Sequence, residues 1–194
     1  MFFLILFLAH FQALVIPLIL GIKSINKFKN VRNSSFIPYG FTFLGLASMF
    51  EMLDHTQTDW IYINHSSIYN WLFYSFLSLG LTSLSISVTK KNLTSNVNFF
   101  LSFCSILTYL LIDKTVALVF QIIISIFLII NWQKFFKDWI LIFYPIFGIF
   151  FTTFLGTNLS ISNNQIWHIF IGPSGTISVL TFYFVLMRHE KRHR

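Results

Sequence analysis

Glu51 and His55 stand four residues apart, so on a helix they share one face, with Ser48 one turn before them on the same side. A carboxylate and an imidazole one turn apart can bind the same metal ion. His168, far along the chain, offers a third ligand. Two histidines and a carboxylate with an open position form a recognised catalytic zinc arrangement, in which a bound water becomes acidic enough to act as a nucleophile. Asp54 or Asp59 can orient a ligand or accept the water's proton. The candidate metal ligands are therefore Glu51, His55 and His168, and the candidate catalytic residues are Asp54, Asp59 and Ser48. His65 and Asn164 are candidates to support the ligands from behind.

The elements that must position these residues follow from the cations. Twelve of the thirteen Lys and Arg fall in four clusters: Lys23/Lys27/Lys29/Arg32, Lys90/Lys91, Lys134/Lys137 and Arg188/Lys191/Arg192/Arg194. Long apolar runs separate them. Basic residues stay on the cytoplasmic side of a membrane, so an even number of crossings must separate each cluster from the next. The connections around 54–66, 113–114 and 157–165 then face the other side and carry one cation, Lys114. The expectation is an all-α, polytopic membrane protein with seven transmembrane helices, N-terminus outside and C-terminus cytoplasmic.

Composition agrees. The chain has 194 residues, 56% apolar and 10% charged, with 26 Phe, and a mean hydropathy of +0.74. Soluble domains carry about a quarter charged residues, so this chain lacks the means to cover a water-facing surface. Residues 1–194 read as a single seven-helix domain. The +7 charge sits at membrane edges, which argues against a nucleic-acid partner and for membrane lipids, with anionic headgroups and other membrane-protein subunits as further contacts. The membrane is of plasma or thylakoid type. Cys104 is the one cysteine and cannot form an internal disulfide. The first apolar stretch lacks the basic leader of a cleaved signal and reads as a span.

The spans fall near 2–21, 36–53, 67–88, 97–112, 115–132, 138–156 and 166–187. Residues 97–132 would make about 54 Å of continuous helix at 1.5 Å per residue, too long for one crossing, so a tight hairpin at Asp113-Lys114 is expected. Three acidic residues and three histidines then gather at one outer boundary, where ionisable groups are costly and mark function. The plainer reading keeps Asp54, His55, Asp59 and His65 as wetted loop residues. Ser75, Ser78, Thr82 and Ser85 read as a helix-packing surface. Gly172-Pro173-Ser174-Gly175 is expected to break span seven beneath His168, as a kink or a cavity floor. His10 sits near mid-membrane, a hydrogen-bonding residue or an axial ligand.

Seven spans of this orientation, a histidine ending span two, and Trp167-His168 opening span seven resemble the alkaline ceramidase and adiponectin-receptor-like superfamily of intramembrane hydrolases. That resemblance implies zinc held by one span-two histidine and two span-seven histidines four residues apart, helped by a Ser and an Asp. His55 and His168 match two of those ligands; Asn164 stands at the third, and Glu51 replaces the Ser. The segments from Asp54 to Trp60 and from Asn64 to Trp71 resemble a group of cyanobacterial membrane proteins, which implies no activity. Three functions stay open: a zinc-dependent hydrolase (a ceramidase-like amidase) acting on a lipid amide or ester, with its metal at the outer face between helices 2 and 7; a non-enzymatic integral subunit or assembly factor binding pigment, haem or partner helices; and a small transporter using Glu51 and His55.

Overall fold

Inside hydrocarbon every backbone N–H and C=O must find a partner within the chain, which makes an apolar run helical. The computed structural model describes residues 2–56, 68–90, 92–151 and 166–193, and all side chains within them except those at 2, 3, 6, 56, 92, 93 and 166–168. The helices are α1 (Phe2–Ser24), α2 (Phe36–Thr56), α3 (Ile68–Ser87), α4 (Asn92–Leu111) and α5 (Lys114–Phe136). A shorter apolar segment, α6 (Trp139–Phe151), follows, and then α7 (Ile166–Arg192). Stretches within α1, α2, α4, α5 and α7 are long and apolar enough to cross a membrane.

Neighbours in sequence pack as neighbours in space, α7 returns against α1, and α3 touches both α4 and α5 as well as α2. α3 buries its residues from Gly80 to Ser87 without a gap. Its contact with α2 depends on small residues. A Cβ on Gly40 would meet Leu84 at 2.7 Å, and one on Gly80 would meet Leu44 at 2.8 Å, so the two helices approach closely.

The expected hairpin is present. α4 ends at Leu111 and α5 begins at Lys114, with Asp113 capping α5 by accepting from the Thr115 amide at 2.7 Å. α5 runs to Phe136, one turn beyond expectation, because its last turns are core. Trp132 donates its indole N–H to the Leu84 carbonyl at 2.7 Å and packs edge-on to Phe182, ring centres 4.6 Å apart. One side chain thereby ties α3, α5 and α7.

α6 is irregular. Asp138 caps a 3₁₀ turn, Trp139–Ile142, through the Ile140 amide at 3.1 Å, and a π-helical stretch, Tyr144–Phe151, continues it. Asp138 also receives Arg188 at 3.4 Å. Lys27 donates to the Tyr183 hydroxyl at 2.9 Å, and Asn33 donates to the carbonyls of Ile86 and Thr89 at 2.9 and 3.2 Å. These contacts join the α1–α2 loop, the end of α3, the α5–α6 junction and the end of α7. The described cations of the four clusters therefore share one end of the bundle, here called the basic end.

Span seven differs from expectation. α7 is one helix through Gly172-Pro173-Ser174-Gly175. Proline removes one amide donor, and the hydroxyls of Thr176 and Ser178 bond back to other carbonyls, those of Gly172 and Ser174, at 3.0 and 2.9 Å. Packing holds the segment: a Cβ on Gly172 would lie 2.3 Å from the Ala9 carbonyl oxygen. The glycine serves a close approach to α1 rather than a break.

Candidate metal centre

The α1–α2 hairpin is antiparallel, and its register fixes what meets near the end remote from the basic one. Gly21 faces Thr42, and Leu18 faces Gly45. Continuing up the pair by the same step brings His10 level with the last turns of α2. There Glu51 and His55, one turn apart, present a shared face to α1, as their spacing requires.

The result is a compact group. One ligand atom from each of His10, Glu51 and His55 can be chosen so that all lie within 4.8 Å of one another. His10 Nε2 is 3.9 Å from Glu51 Oε1. The two imidazoles meet edge to face, centres 4.8 Å apart at 72°. His10 and His55 are buried, at 2% and 0% exposure, and Glu51 retains slight access, with 16% of its side chain exposed.

The donor set fits a zinc-class ion. Zinc takes imidazole nitrogen and carboxylate oxygen at about 2.0–2.2 Å in tetrahedral geometry, which sets ligand atoms roughly 3.3 Å apart. His10 and Glu51 need to close by only about half an ångström to reach that spacing. A tetrahedron built on three protein ligands keeps one open position.

The surroundings are polar beyond the three ligands. Asp54, on the next turn of α2, is 1% exposed and lies within electrostatic reach of Glu51 and of Tyr109 on α4. The Tyr109 hydroxyl donates to Asn70 Oδ1 on α3. Its ring packs against Tyr74, centres 5.3 Å apart. The group thus draws on the first four helices.

Of the residues singled out in the sequence, Glu51 and His55 come together and Asp54 is buried beside them rather than wetted. Ser48 bonds back to its own helix at Leu44 O, at 3.5 Å. His168 opens α7 one turn before Gly172, and its side chain lies outside those described. Asp59, His65 and Asn164 lie outside the described residues. The third metal-capable group among the described residues is His10, on α1. Sequence reasoning took His10 as a hydrogen-bonding residue or an axial ligand and did not join it to Glu51 and His55, and it passed over Tyr109 and Asn70. The hairpin register was the signal that could have found His10.

Fold and composition together define a multi-pass integral membrane protein built as a seven-helix bundle. A family model described as a seven transmembrane receptor, of cyanobacterial type, matches residues 1–192, and the chain belongs to that family. No curated protein and no solved structure matches the chain. The second of the two resemblances read from the sequence, to cyanobacterial membrane proteins, agrees with this family; nothing found supports the ceramidase and adiponectin-receptor likeness specifically.

Proposed function

We propose that this receptor-like seven-helix protein is a metal-binding membrane protein whose ion, of the zinc class, is held by His10, Glu51 and His55 between α1 and α2. The convergence of three metal-capable atoms within 4.8 Å carries the reading. Two neutral imidazoles and one carboxylate suit a divalent ion in net charge, and burial excludes competing water. Asp54 supplies a further carboxylate within charge range of Glu51, whose negative charge would attract a bound cation.

With an ion bound, an open fourth position would supply Lewis acidity and an acidic water. That chemistry suits hydrolysis of a lipid amide or ester, and Asp54 is the side chain placed to take a proton. Glu51, the one ligand with access from outside the bundle, marks the side from which a substrate would approach. The seven-helix wall would hold the acyl chain. The positive-inside rule sets the basic end in the cytoplasm and the centre near the outer face.

Cobalt(II) titration of the detergent-purified chain tests the site. The reading expects visible absorption of tetrahedral strength that saturates at one ion per chain and is lost in Glu51→Ala. A spectrum no stronger than aqueous cobalt would overturn it. Release of fatty acid from ceramide-like amides or lysolipid esters, lost with chelator and with Asp54→Asn, tests the hydrolytic part; metal binding without turnover would leave a receptor or structural ion.

A further inference from the structure

One face of α3 carries Ser75, Ser78, Thr82 and Ser85, a hydroxyl at each turn, with Thr89 just past its end, and all five are buried. Side chains of α4 and α5 meet this stripe. Gln121 donates to the Ser78 hydroxyl at 3.1 Å and to the Tyr74 carbonyl at 2.9 Å. Ser78 pairs with Ser105 at 3.0 Å. Thr82 donates to the Asn98 carbonyl at 3.5 Å, and Asn131 donates to the Ser85 hydroxyl at 3.0 Å. Thr89 and Ser95 pair at 3.4 Å beside the basic end. At the other end the seam reaches Asn70 and Tyr109.

Serine and threonine in membrane helices are commonly packing residues, and that role is complete when each hydroxyl bonds back to its own helix, as Ser75 does to Trp71 O at 2.8 Å. Two groups at mid-seam depart from it. Asn98 Oδ1 and Ser102 Oγ have no hydrogen-bond partner among the described residues, although Asn98 is 0% and Ser102 2% exposed. They stand one turn apart on the face of α4 that meets Thr82 and, a turn on, Ser78. A buried acceptor left unmet is costly, and the usual partner for such a group is an internal water.

We infer that α3, α4 and α5 enclose a file of water molecules, anchored at Asn98 Oδ1 and Ser102 Oγ, that conducts protons between the Asn70–Tyr109 end of the seam and the basic end. Oxygen-bearing groups at successive turns let a proton hop: each transfer breaks one O–H bond and forms the next. The transmembrane proton gradient drives net movement, so no oxidant, reductant or other co-reactant is required. The inference needs no ion at His10, Glu51 and His55.

The test is proton flux into liposomes bearing the full chain, read by a trapped pH dye under a valinomycin-set potassium gradient, with chelator present so that metal occupancy plays no part. Wild-type vesicles should equilibrate several-fold faster than protein-free ones. Ser102→Ala, which removes a single oxygen, should abolish most of the excess, and Asn98→Leu all of it, while Asn98→Ser retains it. Wild-type flux equal to that of empty vesicles, or unchanged flux in both Ser102→Ala and Asn98→Leu, would leave a helix-packing seam only and overturn the inference. Should Asn98→Leu not yield folded protein, Ser102→Ala decides alone.

Discussion

His10 on α1 and Glu51 on α2 bring Nε2 and Oε1 to 3.9 Å inside a membrane-embedded helix contact. With His55 edge-on to His10, the hairpin's far end is joined by ionisable groups where apolar side chains would suffice for packing. A shape-preserving substitution separates metal binding from packing. His10→Phe keeps a ring of similar size and removes one ligand. Under chelator its thermal midpoint should stay within a few degrees of wild type. Zinc at about 100 times its Kd should stabilise wild type by about 2.7 kcal/mol and leave His10→Phe unmoved. An equal zinc response in both would remove His10 from the site.

Gly172 and Gly175 make a matched pair one turn apart. A Cβ at Gly172 would lie 2.3 Å from a backbone oxygen of α1, whereas one at Gly175 meets nothing within 4 Å. Gly172→Ala should push α7 from α1 and destabilise by about 1–3 kcal/mol. Gly175→Ala should be neutral or stabilise by roughly 0.5–1 kcal/mol through lower helix entropy cost. Thermal unfolding in detergent reads both, and equal effects would contradict the close α1–α7 contact.

Asp113 caps α5 from the bundle surface, and the Thr115 amide holds its carboxyl below the ordinary value of 3.8. A depressed carboxyl stabilises the fold only while ionised. The contribution is full above pH 3.8 and fades as pH falls through the lowered folded value. Asp113→Ala should therefore unfold at a lower temperature than wild type at neutral pH, and the gap should close in strong acid. A gap independent of pH would show that the cap's charge contributes nothing.

Orientation has its own test. With Cys104→Ser as background, Lys114→Cys should react with an impermeant maleimide on intact cells, and Arg192→Cys only after lysis. The reverse pattern would invert the bundle and place the metal-capable centre on the cytoplasmic side.

Much of the fold was legible because apolar runs and cation clusters alternate so regularly. The Asp113 break could be read from length alone, since 97–132 is too long for one crossing. Span ends were less legible, because they depend on packing: α5 continues to Phe136 since Trp132 and Phe136 stack with each other and with α7 residues. The Gly172–Gly175 segment misled for a related reason. Local propensity reads Gly-Pro-Ser-Gly as a break, whereas close contact with Ala9 holds it helical. At the site, Glu51 and His55 were legible from one helix turn. His10 was not, because no local spacing links it to them; only the antiparallel register set by Leu18 against Gly45 does so.

Metal content per chain is the most direct measure of the central claim. Elemental analysis of the detergent-purified protein, after zinc loading and gel filtration, should give one ion per chain for wild type, and background for His10→Ala and His55→Ala. Wild type without metal, or His10→Ala with a full complement, would contradict the assignment of His10, Glu51 and His55 as the centre.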